Sequence, residues 1–101
     1  PSLLVFDEID QGVGGATLDA IGVRLGRLSK TAQVLAITHS PQVAARADRQ
    51  WRIEKRLAGG QMRTRVCALS VEDRDEELAR MLSGANVTAA ARKAAKALRA
   101  A

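Results

Sequence analysis

At 101 residues, 47% of them hydrophobic, the chain is sized for one domain or part of one and can bury only a modest core. No apolar run approaches a membrane span, no basic-then-apolar leader opens it, and its one cysteine, Cys67, excludes an internal disulfide, as suits a reducing cytosol. The net charge of +5 lies in the second half: five Lys/Arg balance five Asp/Glu over residues 1–50, while eleven face six over 51–101, which permits a nucleic-acid partner without requiring one.

The chain starts on Pro1, without Met, and runs straight into Leu3-Leu4-Val5-Phe6, so it reads as a truncated sequence. That unbroken apolar run predicts a strand buried on both faces, ending at Asp7. Gly12-Val13-Gly14-Gly15 signals a loop. From Ala16 to Leu28, Leu18, Ile21, Leu25 and Leu28 recur at helical spacing, with Arg24, Arg27 and Lys30 toward the C-terminal end, where the helix dipole favours cations. Val34-Leu35-Ala36-Ile37, within Gln33–Thr38, is a second buried strand, giving a strand–helix–strand unit with parallel strands. Ser40 and Pro41 predict the start of a short helix reaching Ala47.

The period then changes to two. Trp51, Ile53, Lys55 and Leu57 alternate with Arg52, Glu54, Arg56 and Ala58, and Met62, Thr64, Val66 and Ala68 alternate with Gln61, Arg63, Arg65 and Cys67. With Gly59-Gly60 between them, these runs predict a β-hairpin. Ser70 caps a predicted helix from Val71 to Leu82, which Ser83-Gly84 ends. Thr88 caps a last, alanine-rich helix that is basic at Arg92, Lys93, Lys96 and Arg99.

In parallel α/β sheets, ligands bind outside the carboxyl ends of the strands. Asp7 and Glu8 follow the first strand, and His39, the only histidine, follows the second, so topology alone puts them on one rim. An apolar strand ending in Asp-Glu suits nucleotide hydrolysis: one acid holds Mg²⁺ through water, the other orients the attacking water, and a nearby histidine contacts the terminal phosphate. Taken singly, such a strand end is also a common βα loop with solvated carboxylates. The glycine loop fails as a dinucleotide fingerprint, because Thr17 stands where the third Gly or Ala belongs.

Leu3-Leu4-Val5-Phe6-Asp7-Glu8-Ile9-Asp10 resembles the Walker B segment of ABC-type ATPases, the group that includes SMC and RecN proteins. Gln11–Gly15 falls at the D-loop, and Thr38-His39-Ser40 resembles the switch-histidine segment. Phe6–Gly15, Thr38–Ala44 and Arg74–Gly84 are similar to the forms characteristic of the RecN family of DNA-repair ATPases. The implied fold class is α/β: the C-terminal part of an ABC-type (P-loop NTPase) head, comprising a parallel strand–helix–strand core, a β-hairpin and two C-terminal helices. Residues 1–101 would form the C-terminal lobe of the head, with Walker B, D-loop and switch histidine in 1–50, the hairpin in 51–70 and the helices in 71–101.

The resemblance implies roles as well. Asp7 is the Mg²⁺-linked acid, Glu8 and His39 are catalytic, and Gln11, Gly12, Gly14 and Gly15 belong to the nucleotide-side loop that meets an opposite protomer. Gly14 replaces the D-loop aspartate of many relatives, a role that Asp10 would take in part. The intact protein would sandwich ATP and Mg²⁺ between the heads of a homodimer, act on double-stranded DNA or its ends in double-strand-break repair and recombination, and be cytoplasmic in bacteria, nucleoid-associated when acting on DNA, with no membrane partner. Arg52, Arg56, Arg63 and Arg65 are hairpin candidates for phosphate contacts, against the plainer reading of a solvated face. The sequence lacks a phosphate loop and a Ser-Gly-Gly signature, so the 101 residues alone are expected to be inactive. Alternatives are an ABC transporter's nucleotide-binding subunit, which Ile9 in place of the usual Pro argues against, another SMC-like chromosome protein, a DNA-binding remnant without catalysis, and a nuclease using Asp7, Glu8 and Asp10.

Overall fold

A computed structural model of the chain describes residues 2–9 and 12–101. Eight elements follow in order: β1 (Leu3–Asp7), α1 (Gly15–Leu28), β2 (Gln33–Ile37), α2 (Pro41–Ala44), β3 (Trp51–Ala58), β4 (Gln61–Ala68), α3 (Val71–Ser83) and α4 (Ala89–Ala100). β1 and β2 pair in parallel, Leu3 opposite Gln33 through Asp7 opposite Ile37, with α1 as the crossover. β3 and β4 form a separate antiparallel pair. Both hairpin glycines have positive φ, 57° at Gly59 and 77° at Gly60, the condition for a tight two-residue turn.

The helix starts are set by side-chain caps. Ser40, Ser70 and Thr88 accept hydrogen bonds from the backbone N–H of Val43, Asp73 and Ala91, each satisfying an amide that the first turn cannot. α3 ends at Gly84, whose φ of 80° a side chain would resist. The buried core lies where α2, α3 and α4 meet and is built from small residues: Ala44, Ala45, Ala79, Ala91 and Ala95 surround Leu78, with Met81, Val87 and Leu98 at its edge. Alanines let the helix backbones approach closely, so a helix with few large apolar residues still packs.

Two expectations are corrected. The β1–β2 sheet is not buried on both faces: Leu4, Phe6, Val34 and Ala36 are half-buried, but Leu3, Val5, Leu35 and Ile37 on the other face are exposed. Nothing within the described residues covers that face. α2 stops at Ala44 and not at Ala47, because the chain tightens into Arg46 N–H→Val43 O and Ala47 N–H→Ala44 O bonds. Arg74, far along the chain on α3, donates to the carbonyls of Ala44, Ala45 and Ala47 and to the Gln50 side chain, so it takes over helix-end acceptors.

The hairpin has the predicted alternation but an unexpected orientation. Its apolar face, carrying Trp51, Ile53, Leu57, Met62 and Val66, points to solvent, with Leu57 72% exposed. Its polar face is the half-covered one. There Arg52 pairs with Glu54 and lies 3.7 Å from Glu77, a buried α3 carboxylate that also binds Arg80.

Candidate functional site

The parallel register decides what meets at the strand ends. Asp7 is the last residue of β1 and sits opposite Ile37, the last of β2. The ladder closes with one more bond, from the Glu8 N–H to the Ile37 carbonyl at 3.1 Å. The two strands therefore leave the sheet together, Asp7 and Glu8 from β1 and Thr38 and His39 from β2. Asp7, Glu8 and His39 are all exposed. Glu8 turns sharply, with φ of 54°, a left-handed conformation that costs a side-chain-bearing residue about 1–2 kcal/mol. Strain of this kind clusters where a fold must aim a side chain.

His39 is held by its neighbours. The Ser40 N–H donates to Thr38 Oγ1 at 2.9 Å, which closes a small turn around the histidine. Ser40 is buried, and its Oγ accepts from the Val43 N–H while donating to Gln42 Oε1. The segment Thr38–Ser40 is thus both the exit of β2 and the cap of α2, which leaves little freedom for His39 to drift.

The glycine loop comes back toward the same place. Gly12 has φ of 69°, and Gly14 begins α1 without a side-chain cap. A Cβ on Gly15 would lie 3.9 Å from Gln42 Nε2, so the start of α1 borders the helix that His39 precedes. Two turns further, a Cβ on Gly22 would stand 3.0 Å from both the Gln42 carbonyl and Arg46 Cγ, which makes Gly22 the close-approach point of α1 on α2. Asp10 and Gln11 lie outside the described residues.

No three His, Cys, Asp or Glu side chains cluster as a metal cage among the described residues. The donors at the strand ends are hard carboxylate oxygens, Asp7 and Glu8. That set fits Mg²⁺, which takes one or two carboxylates and fills its remaining positions with water and phosphate oxygens.

The four hairpin arginines share one face but not one environment. Arg52 is half-buried and committed to Glu54, whose hydrogen bond raises the Arg52 pKa, while Arg52 in turn lowers that of Glu54. Arg56, Arg63 and Arg65 are exposed; Arg56 stands directly opposite Arg63, and Arg65 opposite Glu54. Among the α4 cations, Arg92 binds Glu76 and Arg99 binds Asp75, so both tie α4 to α3. Sequence reasoning missed Arg74, Gly22 and the positive φ of Glu8. Their importance comes from contacts across the fold, and only the Thr-His-Ser run carried a local signal of the turn that holds His39.

No family model matches the chain. Among curated proteins it is 50% identical over 95 residues to the DNA repair protein RecN of Rickettsia felis, spanning 94% of this chain and 17% of that protein. The DNA repair protein RecN of Streptomyces coelicolor is 49% identical over 94 residues, and that of Xylella fastidiosa 42% over 92. Along nearly its whole length the chain is similar to one segment of RecN proteins. It spans about a sixth of the length of these RecN relatives, 17% of the Rickettsia protein. The fold agrees. A solved structure described as concerning ATP-driven dimerization and DNA-stimulated activation of SMC ATPases superposes with a TM-score of 0.68 at 23% identity, over 85% of this chain and 51% of that one. The Smc head domain of Pyrococcus yayanosii, solved with a coiled coil and joint, gives 0.64 at 28% identity, over 75% of this chain and 14% of that one. The chain therefore has the α/β architecture of part of an SMC-like head.

Proposed function

We propose that these residues are the Walker B, D-loop and switch-histidine portion of a RecN-type ATPase head acting in DNA double-strand-break repair. The observation that carries this reading is the shared exit of β1 and β2, which delivers Asp7, Glu8 and His39 to one sheet edge through the Asp7–Ile37 register and the Glu8–Ile37 hydrogen bond. Residues 1–50 form the catalytic part of the lobe, 51–70 its hairpin and 71–101 its closing helices.

In this reading Asp7 anchors Mg²⁺ through water, and Mg²⁺ when bound neutralises charge on the nucleotide's phosphates. Glu8 orients the attacking water and accepts its proton, from an exposed position where the backbone turns left-handed at the end of the strand. His39 donates a hydrogen bond to the terminal phosphate. Its fixed turn supports such a role, because phosphoryl transfer is accelerated mainly by positioning and charge stabilisation. Gly12, Gly14 and Gly15 would belong to a loop that meets an opposing head, with ATP shared between two copies in a homodimer; Gln11 and Asp10 are outside the described residues. Duplex DNA or its ends is the partner, and the site of action is the bacterial cytoplasm and nucleoid. No helix among the described residues is long and apolar enough to cross a membrane.

The test is ATP turnover by the full-length protein, with and without linear duplex DNA, for the parent and Glu8→Gln. Loss of a positioned base costs about 10²–10⁴-fold in turnover. Lys55→Gln, on the exposed hairpin, should leave turnover unchanged. Normal hydrolysis by Glu8→Gln would remove Glu8 from the mechanism and favour the reading of a DNA-binding segment without catalysis.

A further inference from the structure

A cleft of about 600 Å³ lies between α1, the turn after α2, the start of α3 and the end of α4, and none of Asp7, Glu8 and His39 lines it. Its charged walls are Arg27, Lys30, Arg46, Arg74 and Arg99, against a single acid, Asp48. These five cations come from four separate parts of the fold, so no run of the sequence shows them as a cluster. Three of them already have protein partners: Arg46 binds Asp19 at 3.2 Å, Arg99 binds Asp75, and Arg74 holds backbone carbonyls. Arg27 and Lys30, on and just beyond the last turn of α1, show no ion pair or side-chain hydrogen bond to any described residue.

The wall between them is backbone. A Cβ on Gly26 would meet nothing within 4 Å, so the α1 surface there is open to a close-fitting ligand. Burial, and next the neighbouring Arg99, lower the pKa of Arg74, while Asp75 and Asp48 act in the opposite direction. Neither of the chain's two aromatic residues, Phe6 and Trp51, lines this cleft; Trp51 lines an adjoining one that shares Asp48 and Arg74 with it.

We propose that this cleft is a phosphate-binding site, taking the phosphate groups of a nucleic-acid backbone or of a free polyphosphate. Guanidinium forks and a lysine ammonium suit phosphate oxygens, and contacts to phosphate carry no base-sequence information. The volume accommodates one or two phosphates with their linking atoms. This site stands whether or not the ATPase reading holds, since it shares no side chain with it.

Acetylation of Lys30 in the full-length protein, read by mass spectrometry, tests the proposal, with exposed Lys55 as the internal control. The rate is compared in pyrophosphate, in linear duplex DNA and in sodium chloride at equal ionic strength. Several-fold slowing at Lys30 but not at Lys55 is expected. Slowing by DNA alone identifies a nucleic-acid backbone, and slowing by pyrophosphate identifies free polyphosphate. Gly26→Glu, which adds a negative side chain where there is open space, should abolish the protection while leaving ATP turnover intact. Equal rates in all three solutions, protection that persists in Gly26→Glu, or a Lys30 that is unreactive without ligand would each overturn the proposal.

Discussion

Single residues in this chain do work that their own type does not announce. Gly22 and Gly26 lie one turn apart on the same helix, yet they face opposite situations. Alanine at Gly26 meets open space and gains the helix propensity that glycine forgoes, so Gly26→Ala should stabilise by up to about 1 kcal/mol. At Gly22 the same methyl would press on a backbone carbonyl of α2 at 3.0 Å, so Gly22→Ala should lose that gain, and Gly22→Leu should cost about 1–3 kcal/mol. Chemical denaturation of the three variants checks the order. Arg74 is the second such case. It binds carbonyls of Ala44, Ala45 and Ala47 and the Gln50 amide oxygen, so Arg74→Ala leaves several acceptors unmet and should destabilise by about 1–3 kcal/mol. Arg74→Lys should recover only part of this, because an ammonium lacks the planar fork that reaches separate carbonyls. Equal stability of Arg74→Ala and the parent in a urea titration would show that the contacts are not maintained in solution.

Among the elements, much of the pattern was legible in the sequence. Ser40, Ser70 and Thr88 mark three helix starts because a cap is a local arrangement of one side chain and an amide three residues on. The hairpin was legible for the same reason, since alternation and Gly59-Gly60 are both local. The direction its faces point was not. Apolar residues ordinarily turn inward, yet here it is the polar face that meets α3, with Arg52 lying 3.7 Å from Glu77. The end of α2 was equally hidden, because it depends on Arg74 from a distant helix. At the candidate site, the order of Asp7, Glu8 and His39 was readable, while the Asp7–Ile37 register and the strained Glu8 backbone needed the fold. The α3–α4 pairing makes a further prediction. Arg92 hydrogen-bonds Glu76 and lowers its pKa from the ordinary 4.5. A carboxyl whose folded pKa is depressed contributes stability that is fully present above 4.5 and is lost as pH falls through the lower folded value. Arg52 lowers the pKa of Glu54 in the same way. Thermal midpoints should therefore fall as acid is added below pH 4.5, and Arg92→Gln should make that fall shallower. An identical acid profile in the variant would remove the pair from the account.

The molecule as a whole carries two uncovered apolar surfaces, one on the β1–β2 sheet at Leu3, Val5, Leu35 and Ile37, the other on the hairpin. Exposed apolar area on this scale marks an interface. The chain is a sixth of the length of its RecN relatives, so a larger head has the means to cover both surfaces. The isolated chain should self-associate as its concentration rises, and Val5→Thr with Ile53→Thr and Leu57→Thr should reduce this in sedimentation velocity. A parent chain that stays monomeric throughout would show that these faces tolerate water. The same logic predicts that the isolated 101 residues do not turn over ATP, since they contain no phosphate loop. Glu8-dependent hydrolysis by the purified piece would contradict that. The roles proposed for Asp7, Glu8 and His39 require that all three serve one nucleotide, which a crystal structure of the full-length protein with Mg²⁺ and a non-hydrolysable ATP analogue would decide. The expected result is a terminal phosphate hydrogen-bonded by His39, with Glu8 beside it and Asp7 on the Mg²⁺ side; a nucleotide bound away from the shared exit of β1 and β2 would refute the proposed roles.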